Sequence, residues 1–393
     1  MELPKPNYFI SKEIDPYEVK LKEYSYSENI SKKSHTITFI VPPSPQQPTP
    51  GREFLVTGPF EGFTYVVTLA KKMGFTINVI DCRLKENPVD YVIENIGNPS
   101  LVSIATFADS FEFIESLAKK IKVEFPGMLI SLGGPLVTSI PDILLGNTLA
   151  DFAFIGEAEL TLIEFFEKYI LENKQSFDGI KGISYKSGNK IIHNAPRPQI
   201  KNLDNLPLLD YTIWPNYHEI VKNGQILISS TRGCPHSCSF CFKTIPVLRT
   251  KSIERFEEEV AYLKKSTGFN YTWLNDLNFN VYEDRAITIC DILHKYDIKY
   301  HVFARVINVH EPLMKKLYDT GCLGIWFGLE SYEQDILDAN RKNTSIADIN
   351  NAMKIASSAG LAVRGLFIVG LYGETEEALK KILPRKYWHD FNE

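Results

Sequence analysis

Strand-like and helix-like segments alternate in two separate stretches of this 393-residue chain, and this alternation limits the possible folds more than any other feature. In the first stretch, β-branched and apolar runs predict five strands with helical patterns between most of them. These strands are predicted at 36–41, 75–81, 101–106, 128–132 and 152–155. Such alternation is typical of a parallel sheet with helices on both faces, which binds ligands beyond the carboxyl ends of its strands. The candidate binding loops are 42–51, 81–83, 105–110 and 133–138.

The second alternating stretch predicts another parallel α/β unit. Its strands are predicted at 226–230, 271–274, 300–303, 323–329 and 363–369, and its helices at 252–265, 283–296, 311–320 and 346–359. Five strands are too few for a closed eight-stranded barrel of roughly 250 residues, so we expect a partial, open barrel.

A β-hairpin around the turn at 187–189, followed by a stretch with several prolines, separates the two α/β stretches. The predicted organisation is therefore an N-terminal extension, a first α/β domain, a hairpin with a linker, and a second α/β domain. Their predicted ranges are 1–34, 35–175, 176–219 and 220–393.

Composition excludes several classes of protein. With 44% hydrophobic and 23% charged residues and a net charge of −5, the chain is neither a disordered protein nor a strongly basic nucleic-acid binder. Six cysteines are too few for a disulfide scaffold of this length. The sequence shows neither a signal peptide nor an apolar run of roughly 18 residues, so we expect a cytoplasmic protein without a membrane span.

Three of the six cysteines, Cys234, Cys238 and Cys241, lie within eight positions directly after the first strand of the second stretch. A 4Fe-4S cluster is normally held by four thiolates, so three from one loop leave one iron open to a small molecule. Two alternatives remain: structural zinc bound with His236, or a chance group of free cysteines.

The spacing Cys-x3-Cys-x2-Cys, with the aromatic Phe240 before the last cysteine, resembles the signature of radical S-adenosylmethionine enzymes. This resemblance implies that the three thiolates hold a 4Fe-4S cluster whose open iron is chelated by S-adenosylmethionine. It also implies reductive cleavage to a 5′-deoxyadenosyl radical, a partial (β/α)6 barrel, and a reductant such as flavodoxin or ferredoxin.

Further positions resemble the family's cofactor-binding segments. Asp276 matches a segment near the methionine moiety, and Glu330 with Ser331 matches a Gly-x-Glu-Ser element. Arg305 and Arg364 each lie by a strand and are candidates for the ligand carboxylate. The turn that begins at Gly370 resembles the family's adenine-side turn, with Tyr372 in place of the usual proline. Structural roles, as a turn aspartate or in salt bridges, are the alternatives for Asp276 and the two arginines.

The first α/β stretch resembles the cobalamin-binding domain that precedes the radical module in one large subfamily. The resemblance rests on Gly74-x6-Asp81, on Gly133-Gly134 and on Ile155–Glu159. It implies a flavodoxin-like, doubly wound sheet that binds cobalamin with Asp81, Gly133 and Gly134. None of the eight histidines lies in an Asp-x-His-x-x-Gly motif, so cobalamin would bind without a histidine ligand to cobalt, or the domain has lost it.

Members of the family continue with a sixth strand and usually a C-terminal domain, whereas this sequence stops soon after its fifth predicted strand of the barrel. We therefore expect a barrel shortened at its C-terminus: a natural short form, a truncated product, or one completed by a partner. The leading functional hypothesis is cobalamin-dependent methyl transfer, or related C–H activation, on an unidentified small molecule. The alternatives are radical chemistry without functional cobalamin, such as oxidative or ring-forming reactions, and a cluster-binding protein without turnover.

Overall fold

The computed structural model of the chain describes residues 14–27, 33–44, 57–242, 245 and 247–382. The chain forms two compact units, residues 1–223 and residues 224–393. Both units combine helices with sheets that are mainly parallel, which confirms the predicted α/β class. The predicted loop 42–51 lies outside the described residues from position 45 onward, and the tail 383–393 lies outside them entirely.

The sheet of the first unit has seven strands within the described residues. They are β1 (Thr36–Val41), β2 (Thr76–Asp81), β3 (Leu101–Ala105), β4 (Ile130–Gly133), β5 (Phe152–Phe154), β6 (Ile183–Ser187) and β7 (Lys190–His193). Their order is β2-β1-β3-β4-β5-β6-β7, so the strand order reverses at β1. The first five strands pair in parallel, whereas β6 and β7 extend the sheet as an antiparallel hairpin.

Helices of the first unit follow the strands closely. They are α1 (Pro16–Tyr26), α2 (Glu61–Lys72), α3 (Pro88–Asn95), α4 (Phe111–Glu124), α5 (Pro135–Ser139), α6 (Pro141–Asn147), α7 (Glu159–Phe165) and α8 (Tyr217–Lys222). A π-helical segment, Phe166–Leu171, continues α7, and 3-10 turns lie at Leu203–Asn205 and Tyr211–Ile213. The apolar core of the sheet is fully buried, with Ile40, Val102, Ile104, Ile130 and Leu132 at 0% exposure.

Helix α1 falls in a segment whose sequence shows no helical period. The Asp15 side chain caps it by accepting a hydrogen bond from the amide of Tyr17, and Pro16 occupies its first turn. The buried guanidinium of Arg197 also binds Asp15, at 3.0 Å, and Glu164. This helix therefore depends on caps and ion pairs between distant residues, which hydrophobic periodicity does not reveal.

The second unit contains a five-stranded sheet in the order β14-β13-β12-β11-β8, in which all neighbours are parallel. A separate antiparallel pair is formed by β9 and β10. The strands are β8 (Leu227–Ile228), β9 (Thr231–Arg232), β10 (Arg249–Thr250), β11 (Tyr271–Leu274), β12 (Lys299–Ala304), β13 (Cys322–Glu330) and β14 (Ala362–Phe367).

Most helices of the second unit lie between successive strands of this sheet, and the last follows β14. They are α9 (Ile253–Thr267), α10 (Glu283–Lys295), α11 (Glu311–Asp319), α12 (Gln334–Ala339), α13 (Ile346–Ser358) and α14 (Glu376–Ile382), with a 3-10 turn at Phe279–Val281. Helix α13 begins with a capping box between Ser345 and Asp348. Because the strands are parallel, the segments that follow β8, β11, β12, β13 and β14 all emerge at one edge of the sheet. No described helix is both long enough and apolar enough to cross a lipid bilayer.

Candidate active site

The cysteine loop begins just after β8, at the carboxyl edge of the parallel sheet. Strands β9 and β10 pair through Arg232 and Arg249 and so close the base of the loop. Gly233, with φ of 90°, lies so close to the backbone of Val247 that any Cβ would collide with it. The residue before Cys234 must therefore be a glycine, and the loop is held by backbone geometry on both sides.

The three cysteines of this loop form no disulfide, and Cys234 and Cys238 are half-buried while Cys241 is exposed. Among the described residues, no three histidine, cysteine or acidic side chains converge on one point as a single metal ion requires. A 4Fe-4S cluster does not need such convergence, because each thiolate binds a different iron. Three thiols on one loop are the donor set of a cluster that keeps one iron open.

Arg305, directly after β12, connects the cysteine loop to two neighbouring segments. Its Nη1 donates a hydrogen bond to the sulfur of Cys238 at 3.3 Å, and its Nη2 donates to the hydroxyl of Thr344 at 3.1 Å and to the carbonyl of Lys342. The side chain is buried, and its Nε has no hydrogen-bond partner among the described atoms. Arg305 therefore contacts a predicted cluster ligand and keeps one donor for a further group.

Asp276, two residues after β11, is buried beneath the start of the cysteine loop. Its Oδ1 accepts hydrogen bonds from the amides of Ser230 and Thr231, at 2.7 and 2.8 Å, and its Oδ2 accepts one from the Ser230 hydroxyl at 2.6 Å. Burial raises the pKa of this carboxyl above its ordinary value, although these hydrogen bonds oppose the shift. In this structure, Asp276 holds the segment that leads into the cysteines.

Glu330 ends β13 with a positive φ of 66°, where the pairing with β14 shifts register. Its Oε1 accepts a hydrogen bond from Lys342 Nζ at 3.0 Å, and both side chains are largely buried. A Cβ on Gly328 would lie 2.6 Å from this oxygen, so a side chain there would require the Glu330 carboxylate to move. Ser331 is completely buried, and its hydroxyl accepts a hydrogen bond from the amide of Glu333.

The turn at Gly370 is tied to the cysteine loop through Asn340. The carbonyl of Asn340 accepts a hydrogen bond from the amide of Ser239, and its Nδ2 donates to the carbonyl of Tyr372 at 2.8 Å. Gly370 has φ of 93°, and its amide donates to the carboxylate of Glu374, whose other oxygen is buried without a described partner. The turn therefore presents an unsatisfied acceptor, as Arg305 presents an unsatisfied donor.

Two other predicted residues of the second unit take different positions. Phe240 packs against a small apolar cluster formed by Ile336, Leu371 and Ala378, which fixes the loop just before Cys241. Arg364 lies within β14 and is exposed, with its guanidinium 4.9 Å from the ring centre of Trp326. The sheet thus brings Asp276, Arg305, Glu330, Ser331 and Gly370 to the edge that carries the cysteines, whereas Arg364 lies on a face.

In the first unit, the loops after β3 and β4 meet. Gly134 has φ of 115°, and a Cβ there would lie 2.9 Å from the carbonyl oxygen of Thr106, which leaves no room for a side chain. Thr106 also donates from its amide to the carbonyl of Gly133 at 2.8 Å. A side chain at Gly133 would meet nothing within 4 Å, so this backbone faces open space at the carboxyl edge.

Asp81, at the end of β2, is paired with Arg83 and not with these glycines. The two side chains form a buried ion pair, with Nη2 of Arg83 2.6 Å from Oδ2 of Asp81. The guanidinium also lies over the rings of Phe60 and Trp214, 5.1 and 5.3 Å from their centres. Asp81 therefore shapes the loop after β2 through Arg83.

The contacts of Asn340, Lys342 and Thr344 were not predicted from the sequence. All three are buried and contact Ser239, Glu330 or Arg305. They lie in the connection between the short helix α12 and α13, where no motif marks them. The only sequence signal is a run of polar residues that follows the predicted Gly-x-Glu-Ser element.

Comparison with known protein families identifies the domain that contains the cysteine loop. Residues 228–383 match the model of the radical SAM superfamily, and this region contains the cysteine loop and the edge described above. This chain carries a radical SAM domain. The domain begins within β8 and includes every strand of the five-stranded sheet from that point.

Similar proteins extend beyond the radical SAM domain. An uncharacterized methyltransferase, PH0819 of Pyrococcus horikoshii, is 29% identical over 82% of this chain and 72% of its own length. The solved structure of the cobalamin-dependent S-adenosylmethionine radical enzyme OxsB with aqua-cobalamin matches 93% of this chain with a TM-score of 0.72 and 18% identity. The radical S-adenosylmethionine methyltransferase TsrM from Kitasatospora setae, with cobalamin and a [4Fe-4S] cluster bound, matches 89% with a TM-score of 0.69 and 15% identity.

These matches confirm the resemblance to cobalamin-dependent radical SAM enzymes at the level of the domain and the fold. This chain spans 56% of the OxsB chain and 69% of the TsrM chain. The match to OxsB therefore leaves almost half of that protein without a counterpart.

Proposed function

We propose that this chain is a cobalamin-dependent radical SAM enzyme that transfers a methyl group to a small-molecule substrate. The observation that carries the proposal is the position of Cys234, Cys238 and Cys241: one loop, after a parallel strand, inside the radical SAM domain. The names of the relatives, which include methyltransferases and cobalamin-dependent radical enzymes, support methyl transfer as the reaction.

The finer architecture belongs to the same proposal. The parallel order β2-β1-β3-β4-β5 is that of a flavodoxin-like, doubly wound sheet, whose ligands bind where the strand order reverses. The sheet β8-β11-β12-β13-β14, with a helix after nearly every strand, corresponds to a partial (β/α)6 barrel. Each unit thus supplies one cofactor site at the carboxyl ends of its strands.

When bound, the cluster supplies the electron that cleaves S-adenosylmethionine to a 5′-deoxyadenosyl radical, and cobalamin supplies methyl-transfer chemistry. The protein's part is to bind and orient these groups. The three thiols would hold the cluster, and Arg305 donates a hydrogen bond to the sulfur of Cys238. Asp276 fixes the start of the loop. Nε of Arg305 and the free carboxylate oxygen of Glu374 remain for the polar groups of S-adenosylmethionine.

In the first unit, Gly133 and Gly134 would let cobalamin approach the backbone, because neither carries a side chain and Gly133 faces open space. Asp81 would contribute indirectly, because its ion pair with Arg83 fixes the loop after β2. Cobalamin would bind without a histidine ligand to cobalt. The reaction would need an external electron donor such as flavodoxin or ferredoxin, and a cluster held by thiolates fits a reducing compartment such as the cytoplasm.

Anaerobic reconstitution of the full chain with iron and sulfide tests this proposal. We expect about four irons per chain and reductive formation of 5′-deoxyadenosine from S-adenosylmethionine. The Cys238→Ala variant should lose iron and cleavage together. The matched control is Cys290→Ala, because Cys290 is a buried cysteine of helix α10 whose pKa is raised to about 11 by burial. A chain that binds zinc and produces no 5′-deoxyadenosine, or a Cys238→Ala variant with full activity, contradicts the proposal.

A further inference from the structure

On one face of the five-stranded sheet, the three central strands β11, β12 and β13 carry a group of neighbouring rings. We call this surface the aromatic face and define it as Tyr271, Trp273, His301, Phe303 and Trp326. All five side chains are half-buried, whereas the alternate residues of the same strands, such as Val302, Ile325 and Phe327, are fully buried. The two faces of these strands therefore differ in exposure.

The rings of the aromatic face contact one another across three strands. Trp273 stacks on His301 with ring centres 4.8 Å apart and meets Trp326 edge-on at 4.7 Å. Phe303 meets Trp326 at 5.7 Å, and the Tyr271 hydroxyl lies 2.9 Å from Nδ1 of His301. Such contacts hold the rings in fixed orientations, so the surface is preorganised to bind a flat apolar molecule.

A single guanidinium borders these rings. Arg364 pairs with Trp326 in the β13–β14 register and lies over its indole, and it has no carboxylate partner within the part of the chain that the structure describes. A guanidinium stacked on a ring keeps its N–H groups directed outward, where they can bind a carboxylate through two hydrogen bonds. The nearby carboxylate of Glu330 is already paired with Lys342.

The aromatic face adjoins the cysteine loop along β12. Phe303 precedes Arg305 by two residues on the same chain segment, a separation of roughly 7 Å in an extended strand. Arg305 in turn contacts the sulfur of Cys238. A molecule bound over Phe303 and Trp326 would therefore lie next to the edge of the sheet where radical chemistry is proposed.

We propose that the aromatic face binds the substrate, and that the substrate is a planar aromatic or heteroaromatic molecule with a carboxylate. Its ring stacks on one of Phe303 and Trp326 and meets the other edge-on, because these two rings are nearly perpendicular at 82°, and its carboxylate pairs with Arg364. This inference rests on the proposed function, since it assigns the substrate class of that radical reaction. Aromatic stacking and the ion pair make separate contributions, so each can be removed independently.

The test is calorimetric titration of the anaerobically reconstituted full chain with three probes. They are 2-naphthoate, its neutral isostere 2-naphthamide, and the non-aromatic anion cyclohexanecarboxylate. We expect 2-naphthoate to bind about tenfold more tightly than either of the others, because only it supplies both a ring and a charge. Equal affinities for the three probes, or no binding of 2-naphthoate, overturn the inference.

Variants of residues at the aromatic face test whether the probes bind there. In Arg364→Gln, the affinity for 2-naphthoate should fall about tenfold while that for 2-naphthamide stays unchanged. In Trp326→Leu, both should weaken. The matched control is Tyr282→Leu, which removes an aromatic side chain that is 54% exposed and lies outside the aromatic face. Because Arg364 is exposed, Arg364→Gln should fold normally, so the test remains valid even if Trp326→Leu fails to fold. Unchanged 2-naphthoate binding in Arg364→Gln overturns the proposal.

Two further measurements separate the possible failures. Iron content and 5′-deoxyadenosine formation on the same preparations test the proposed function alone, so normal cleavage without probe selectivity refutes only the substrate class. Sedimentation velocity tests whether a second copy of the chain covers this face. A dimer that dissociates in Trp326→Leu, together with absent probe binding, identifies the face as an interface and overturns the inference.

Discussion

Arg305 shows how one buried residue can link a predicted cluster ligand to the rest of the domain. Its guanidinium contacts Cys238, Thr344 and the carbonyl of Lys342, while its own amide is bound by the side chains of Asn278 and Asn280. A cationic donor to a cluster sulfur favours the more electron-rich state, because hydrogen bonds and net charge both tune the reduction potential. Arg305 is therefore a positioning residue whose effect is measurable apart from turnover.

The Arg305→Met variant should lower the midpoint potential of the reconstituted cluster, because it removes both the N–H···S hydrogen bond and the positive charge. Potentiometric titration followed by EPR measures the shift. Arg285→Met is the control, since it removes the same charge from an arginine that donates to a backbone carbonyl, that of Ser230. An unchanged potential in Arg305→Met would show that the contact with Cys238 is incidental.

His301, on the same sheet, should make the folding stability of the protein depend on pH. Burial, followed by the positive charge of Arg364, lowers the pKa of His301 below its ordinary value of 6.5, so the folded chain favours the neutral ring. The unfolded chain takes up its proton near pH 6.5. The stability due to the neutral ring is therefore complete above pH 6.5 and is lost as the pH falls towards the folded pKa.

We expect the wild type to lose stability relative to His301→Phe as the pH falls from 7.5 to about 5.5. The phenylalanine ring preserves stacking on Trp273 but does not titrate. Chemical denaturation of the cluster-free protein at each pH measures the difference. Parallel stability curves for the two proteins over this range would show that His301 does not titrate differently on folding.

At the scale of elements, the loop after β4 contains two adjacent glycines that differ in the space around them. Gly134 has a positive φ and no space for a Cβ, whereas Gly133 has space in front of it. The first is needed for the turn against Thr106, and the second for access to the carboxyl edge of the sheet. The Gly133-Gly134 pair thus combines one glycine that the turn needs with one that is proposed to leave room for the ligand.

Replacing each glycine separates these constraints. Gly134→Ala should destabilise the fold by about 1–3 kcal/mol through backbone strain and a clash with Thr106. Gly133→Ala should change stability by less than about 0.5 kcal/mol but weaken cobalamin binding, since its methyl group projects into open space. Thermal denaturation and titration with hydroxocobalamin measure the two effects. A Gly133→Ala variant with wild-type cobalamin affinity would remove this loop from the proposed site.

For the whole molecule, the proposal requires two cofactors on one chain. The match to OxsB over 93% of the chain covers both units, although the chain spans only 56% of that relative. Binding of cobalamin by the first unit and of a cluster by the second can be measured separately, before any substrate is known.

We expect the purified chain to bind about one cobalamin, and its cob(II)alamin EPR spectrum to lack the nitrogen splitting of an axial histidine. The reason is that none of its eight histidines lies in an Asp-x-His-x-x-Gly motif. Cobalt analysis gives the stoichiometry, and the cluster-free Cys238→Ala variant should bind cobalamin as well as the wild type. Absence of cobalamin with normal 5′-deoxyadenosine formation would favour radical chemistry without this cofactor.

The α/β class, most element positions and the grouping of cysteines follow from local sequence alone. A buried strand such as 36–41 needs continuous apolar residues, and an amphipathic helix needs a 3.6-residue period, so each pattern is visible without the fold. The α1 helix has no such period, because its cap and the ion pairs of Asp15 and Arg197 join residues far apart in sequence.

Tertiary structure alone decided which polar groups meet. That Arg305 lies against Cys238, that Lys342 neutralises Glu330, and that five rings form one continuous face all depend on strand order and register. Spacing along the chain fixes which face of a strand a side chain occupies, but not which strand lies beside it. The sequence therefore determined the kinds of residue available for chemistry, and only the packing of parallel strands determined their neighbours.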